Sequence, residues 1–131
     1  MASIRREIEI AAPADVVWDA FRDIGAIHTR LARQYVVDTK LEGDSRLVTF
    51  ANGFVARERI VDVDDRRRRL AYAVADSPQL THHNASFEVV PDGNEKCRII
   101  WITDLLPNSM ADQITGMVDG GCEAIKKTLT R

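Results

Sequence analysis

The feature that most constrains the fold is the spacing of apolar residues, which changes near residue 35. From there to residue 105, apolar side chains recur at every second position, in six segments separated by Gly, Pro, Asn and Asp clusters. A period of two is typical of strands with one buried face. After Pro107-Asn108-Ser109 the spacing becomes three to four, which predicts one amphipathic helix roughly 30 Å long. Ser109 is expected to cap its N-terminus. The chain thus combines several short strands with a single long helix.

The residues before position 35 predict one more strand and two short helices. Ile4, Ile8 and Ile10 alternate with charged residues, as in a strand with one solvated face. Pro13 favours a helix start, and residues 26–33 predict a second short helix or a loop.

Together these elements predict an α+β fold in one domain over residues 1–131. Consecutive strands joined by tight turns favour an antiparallel sheet, and its single apolar face needs a cover. We therefore expect a curved antiparallel sheet of about seven strands around the long C-terminal helix, with two short helices after the first strand.

The hairpin around Asn52-Gly53 contains a charged pair whose placement depends on strand register. A two-residue turn would set Arg46 opposite Arg59, and facing like charges destabilise a sheet. A three-residue loop with a left-handed Gly53 sets Arg46 opposite Glu58 instead. We expect this second register, which turns both side chains inward. A half-open ligand cavity would explain a charged pair on an inner face.

Short motifs occur in a fixed order along almost the whole chain. They are Ile10-Ala11-Ala12-Pro13 with Val17-Trp18, Arg46, Glu58-Arg59, Asp64, Leu70-x-Tyr72, His83-x-Ala85-x-Phe87 and the Trp101 strand before the long helix. In this order they resemble the helix-grip family, which includes START lipid-transfer domains, the birch-pollen allergen family, plant abscisic acid receptors and bacterial polyketide cyclase/dehydrase-like proteins. The resemblance implies binding of hydrophobic or amphipathic small molecules, and in some members cyclisation or dehydration.

One set of side chains is expected to face the space beneath the long helix. Arg46 could hold a ligand carboxylate or enolate there, with Glu58 fixing its orientation. The alternative is a structural pair inside a filled core. The predicted ligand-binding residues are Arg46, Phe50, Glu58, Tyr72, His83, Phe87, Trp101, Ile114, Met117, Val118 and Gly121.

Three functions follow from this arrangement. The leading prediction is binding of a small hydrophobic or amphipathic ligand, lipid-like or polyketide-like. An alternative is an enzyme of the polyketide cyclase/dehydrase type, in which His83, Tyr72 and the Arg46–Glu58 pair transfer protons. A further alternative is a protein-interaction module of the chaperone-activator kind. No serine or cysteine has a convincing base partner, so we assign no catalytic residue.

The sequence predicts neither a metal nor a cofactor. His82 and His83 are adjacent on a strand, so their side chains point to opposite faces and cannot easily share an ion. Cys97 and Cys122 have no C-x-x-C spacing and are interpreted as buried thiols of a reducing compartment, although a disulfide between them stays open.

Composition and charge bear on whether the protein binds nucleic acid or a membrane. The formal net charge is −2, and acidic residues surround the arginine run 66–69, so no nucleic-acid partner is expected. No apolar run reaches transmembrane length and the first residues lack the apolar stretch of a signal peptide. We therefore expect a cytoplasmic protein without membrane insertion. Both a monomer and a homodimer remain open.

Overall fold

The computed structural model describes residues 2–130 and contains the predicted order of elements. The elements are β1 (Ala2–Ile10), α1 (Ala14–Arg22), a π-helical turn (Ile27–Leu31), β2 (Val36–Glu42), β3 (Ser45–Phe50), β4 (Val55–Asp64), β5 (Arg69–Ala75), β6 (His82–Asp92), β7 (Lys96–Leu106), a 3-10 turn (Asn108–Met110) and α2 (Ala111–Leu129). The strands form one antiparallel sheet in the order β1-β7-β6-β5-β4-β3-β2. The predicted α+β class, with about seven strands and a long C-terminal helix, is confirmed.

The β3–β4 hairpin adopts the predicted register. Arg46 pairs with Glu58 across the two strands. At the end of the hairpin the Phe50 amide donates to the Phe54 carbonyl at 2.8 Å. Gly53 has φ +90°, a conformation that side chains with a Cβ rarely adopt. The three-residue loop therefore forms as expected and places the charged pair on the inner face.

The start of α2 differs from the prediction. Ser109 lies inside the 3-10 turn rather than at a helix cap, and no side chain caps the first α-helical residue. The Met110 amide instead donates to the Pro107 carbonyl at 3.0 Å. The backbone bond of this tight turn takes the place of the side-chain cap.

The core lies between the inner face of the sheet and its helical cover. α1 packs on β6 and β7, and Phe21 contacts Phe87 with ring centroids 4.8 Å apart. α2 packs on β1 and on the π-helical turn, and it buries Val118, Gly121 and Ile125. Both helices therefore cover the β1-β7-β6 side of the sheet. Within residues 2–130, no helix has the length and apolar character needed to cross a membrane.

Hydrogen bonds and ion pairs attach the β4–β5 turn to α1. The Trp18 indole donates to Asp65 at 2.9 Å, and the Arg22 guanidinium donates to the same carboxylate at 2.8 Å. Arg22 and then Trp18 lower the pKa of Asp65. Arg68 pairs with Asp15 at 2.8 Å. Part of the arginine run thus has a structural role.

The backbone requirement at Gly53 can be tested with a matched pair of glycines. Gly53→Ala is expected to lower the free energy of unfolding by about 1–2 kcal/mol, because Ala disfavours positive φ. Gly116 lies exposed in α2 with open space around it, so Gly116→Ala should raise stability by about 0.5–1 kcal/mol. Urea unfolding measures both values. Equal effects of the two substitutions would contradict the assigned loop.

Candidate functional site

A cavity of about 120 Å³ lies between the inner face of the sheet and α2. The structure brings all the predicted site residues to its wall, namely Arg46, Phe50, Glu58, Tyr72, His83, Phe87, Trp101, Ile114, Met117, Val118 and Gly121. Their role in ligand binding stays a prediction. The volume is close to the roughly 150 Å³ of an engineered protein cavity that binds benzene. The space therefore matches a molecule with a single ring.

Several lining residues are absent from the sequence prediction. Thr103 lies two residues after Trp101 on β7 and so shares its face of the strand. The alternation that identified Trp101 therefore also indicates Thr103. Tyr35 precedes β2, and its hydroxyl donates to the Met117 carbonyl of α2 at 2.8 Å. Ser77, Gln79 and Leu80 come from the β5–β6 loop and Met110 and Gln113 from the start of α2, where apolar periodicity gives no signal.

The buried ion pair is held by more than its mutual contact. Arg46 Nε donates to Glu58 Oε1 at 2.9 Å, and the two side chains are only 2% and 11% exposed. Arg46 Nη1 also donates to the Ile24 carbonyl at 3.3 Å. The guanidinium carbon lies 5.6 Å from the centre of the Tyr72 ring, within the range of a cation–π contact. Glu58 thus neutralises the Arg46 charge inside the site.

Aromatic rings form a continuous wall of the cavity. Tyr72 stacks on Phe87 with centroids 5.9 Å apart, and Phe87 contacts Trp101 at 4.5 Å. Tyr72 also lies 5.8 Å from the His83 ring. These contacts restrict the rotamers of all four rings, so the polar atoms that they carry have fixed positions.

Two adjacent glycines let α2 approach this wall. A Cβ on Gly121 would lie 2.9 Å from the Trp101 ring, and one on Gly120 would lie 2.9 Å from Tyr35. Real Cβ atoms essentially never come this close to another heavy atom. The helix-weakening glycines in the sequence therefore have a packing reason, since they set the distance between α2 and the sheet.

His83 is a neutral hydrogen-bonding group at neutral pH. Its Nδ1 accepts the Val74 amide proton at 3.1 Å, which places the remaining ring proton on Nε2. Burial of the imidazole, and secondly the neighbouring His82, lower the pKa of His83 to about 4. His83 is thus a donor through Nε2 and is hardly protonated near pH 7.

Two further donors lie close together in the wall. Burial, followed by the Glu58 charge, raises the pKa of Tyr72, so the phenol stays protonated. Within residues 2–130, the Trp101 Nε1 atom is the one buried side-chain nitrogen or oxygen without a hydrogen-bond partner. It lies near enough to the Tyr72 hydroxyl to lower that pKa slightly, but outside good hydrogen-bond geometry.

Metal-binding and nucleophilic groups are not assembled in the part of the chain that the structure describes. No three His, Cys, Asp or Glu side chains there lie close enough to hold a metal ion. His28 Nδ1 lies 3.1 Å from Thr39 Oγ1. Cys97 and Cys122 are free thiols, and burial raises the pKa of both, that of Cys122 to about 11. Such thiols are poor nucleophiles.

The cost of an unpaired buried charge gives a test of the ion pair. Glu58→Ala is expected to lower the free energy of unfolding by about 3–5 kcal/mol, because it leaves Arg46 buried without its counter-charge. The control is Glu42→Ala, which breaks the exposed Arg57–Glu42 pair and should cost less than about 1 kcal/mol. Urea unfolding at pH 7 measures both. Similar losses in the two variants would mean that the Arg46–Glu58 pair is effectively solvated.

The low pKa of His83 predicts a loss of stability in acid. The folded pKa is about 4 and the ordinary value is 6.5, so between these pH values the unfolded chain binds more protons than the folded chain. Stability should therefore fall as the pH falls from about 6.5 to about 4. His83→Gln should remove this part of the pH dependence, whereas His82→Gln should keep it. Unfolding curves across this range check the prediction, and parallel profiles for wild type and His83→Gln would refute it.

The chain matches one protein-family model and several solved structures. The family model described as "Polyketide cyclase / dehydrase and lipid transport" matches residues 1–130. No curated protein matches the chain. A Thermobifida fusca protein solved by NMR is 32% identical over 97% of this chain and 89% of that chain, with a TM-score of 0.78.

Two more distant structures share the fold. Norcoclaurine synthase from Thalictrum flavum, solved in complex with dopamine and hydroxybenzaldehyde, is 24% identical over 96% of this chain and 84% of that chain, with a TM-score of 0.73. A START superfamily protein from Mycobacterium smegmatis is 12% identical over 97% and 96% of the two chains, with a TM-score of 0.76. The match over nearly every residue shows that the chain belongs to the polyketide cyclase/dehydrase and lipid-transport family.

Proposed function

We propose that this protein binds one small hydrophobic or amphipathic molecule in the cavity between the sheet and α2. The observation that carries the proposal is a mainly apolar space of about 120 Å³ with a few fixed polar groups in its wall. Ligand sites in proteins typically combine an apolar lining with a small number of placed polar groups. A filled core would leave no such space around a buried ion pair.

The size of the cavity supports a ligand smaller than a long acyl chain or a multi-ring polyketide. The volume is near that of a benzene-binding cavity, and drug-sized ligands occupy pockets of roughly 300–1,000 Å³. The norcoclaurine synthase structure in this fold contains dopamine and hydroxybenzaldehyde, both single-ring molecules. We propose the same size class for the ligand of this protein.

An enzyme of the polyketide cyclase/dehydrase type is the second candidate, and the family description favours it. The titrating groups of the cavity give it less support. Tyr72 stays protonated, His83 already accepts a backbone amide proton, and Glu58 is engaged with Arg46. A general base would need one of these acceptors to be free. Turnover of an aromatic ketone substrate that disappears in both His83→Ala and Glu58→Gln would favour the enzyme.

Binding can be tested by filling the cavity from the sheet. Ala56 is buried and lines the cavity, whereas Ala73 pairs with Arg59 and lies outside the cavity wall. Ala56→Leu is expected to abolish the thermal shift produced by single-ring aromatic probes, because its added carbons occupy the ligand space. Ala73→Leu adds the same atoms elsewhere and should keep the shift.

The same pair of variants applies to the natural ligand. Native mass spectrometry of the protein purified from its own host should detect a small molecule on wild type and on Ala73→Leu, but not on Ala56→Leu. The absence of any bound molecule, together with no thermal shift from fatty acids, sterols or aromatic compounds, would count against the proposed function. A protein-interaction role would then be the remaining explanation.

A further inference from the structure

We infer that the ligand is an uncharged, single-ring molecule that presents an oxygen acceptor to the Tyr72 hydroxyl. The inference rests on the proposed binding function and specifies the chemical class that the site accepts. The expected ligand is an aromatic ring with a neutral carbonyl or similar oxygen. A plain hydrocarbon lacks the oxygen, and a carboxylate has a charge.

The first argument is an excess of donors in one part of the wall. Trp101 Nε1 is buried without a partner, and its N–H can only donate. The adjacent Tyr72 phenol stays protonated and therefore also donates. If the indole donates to the Tyr72 oxygen, the Tyr72 proton still requires an acceptor. The Trp101 nitrogen itself has almost no accessible surface, so the acceptor oxygen of a ligand would meet the Tyr72 proton and not the indole.

His83 adds to the same polarity. Because Nδ1 accepts the Val74 amide, its free ring nitrogen carries a proton and donates. Its ring lies 5.8 Å from the Tyr72 ring and lines the same cavity. Two neutral rings in this part of the wall thus carry a donor proton. An acceptor on the ligand matches them.

The second argument is the charge balance of the cavity. Arg46 and Glu58 are the charged side chains of the wall within the described residues, and they neutralise each other at 2.9 Å. A carboxylate placed at Arg46 would also lie beside Glu58. Two like charges in a site shielded from water repel each other strongly, and burial of the ligand anion adds a desolvation cost. The pair therefore selects against anions, although it contains an arginine.

The third argument is shape. Tyr72, Phe87 and Trp101 form neighbouring ring faces with centroids 4.5–5.9 Å apart. A flat ring packs on such faces in offset or edge-to-face contact. With a volume of about 120 Å³, one ring and a short polar substituent fill the space.

Three probes of similar size separate these claims. Acetophenone has a ring and a neutral acceptor, ethylbenzene has the ring without the acceptor, and benzoate has an acceptor with a negative charge. Titration calorimetry at pH 7 measures the dissociation constants for the wild-type protein. We expect acetophenone to bind best, with benzoate at least about tenfold weaker, the change expected from one unfavourable buried charge contact.

Two variants that each remove a hydroxyl test the donor directly. Tyr72→Phe keeps the ring and should reduce the preference for acetophenone over ethylbenzene by about tenfold, the loss of one well-placed hydrogen bond. The control is Thr29→Val. Its hydroxyl donates to the Ala26 carbonyl and Thr29 does not line the cavity, so the ratio of the two affinities should stay as in wild type.

A third variant tests the charge argument. Glu58→Gln keeps an oxygen for Arg46 but removes the negative charge, so benzoate should bind at least about tenfold tighter than it does to wild type. Melting temperatures recorded for each variant show that it is folded under the conditions of titration.

Each outcome decides a different claim. An unchanged acetophenone preference in Tyr72→Phe would overturn the assignment of the donor site. Benzoate as the tightest wild-type ligand would overturn the exclusion of anions. Both results leave ligand binding itself intact. If none of the three probes binds to any folded variant, the proposed function fails and the inference fails with it.

Discussion

The register of the β3–β4 hairpin is the constraint on which the rest of the site depends. Shifting it by one residue would exchange the inner and outer faces of one strand and separate Arg46 from Glu58. Arg46 would then lose its carboxylate partner. A single left-handed glycine in the loop therefore determines whether Arg46 lies opposite Glu58 or opposite a second arginine. The aromatic wall on the neighbouring strands would remain in either case.

The polar groups of the cavity differ in how completely the protein satisfies them. Arg46 donates to Glu58 and to the Ile24 carbonyl, and the Tyr35 hydroxyl and the His83 Nδ1 atom have backbone partners. The Trp101 indole does not. A buried group without a partner costs free energy, and native structures contain few of them. This donor lies beside the Tyr72 hydroxyl in the wall of the cavity, so the polar atoms around Tyr72 are more informative about function than the charged pair.

The sequence predicts the fold well because alternation and turn residues are local signals. The order of the elements, the inward face of β3 and β4 and the pairing of Arg46 with Glu58 all follow from spacing and from the choice of turn at Gly53. The residues from loops do not follow, since Leu80 and Met110 lie in segments without a period. The volume of the cavity also depends on how closely α2 approaches the sheet.

That approach is a tertiary property that no local pattern encodes. Gly120 and Gly121 indicate that something comes close to the helix, but only the structure shows that Tyr35 and Trp101 are the neighbours. Ser109 illustrates the converse error. A good capping residue at a plausible position does not cap when the chain enters the helix through a 3-10 turn.

The side-chain hydrogen bonds that attach α2 to other elements are unevenly distributed along it, and one of them joins Tyr35 to the Met117 carbonyl in the middle of the helix. Beyond Met117, α2 is also attached through Asp119, which accepts from Arg6 at 2.6 Å, and through Thr128, which accepts from the Arg33 amide at 3.0 Å. These anchors join the helix to the first strand and to the segment before β2. The turns that precede Met117 carry cavity-lining side chains and begin at a 3-10 turn. Within residues 2–130, side-chain hydrogen bonds to other elements therefore attach the C-terminal part of α2, whereas its first turns are held by apolar packing of Met110 and Ile114 near Leu105.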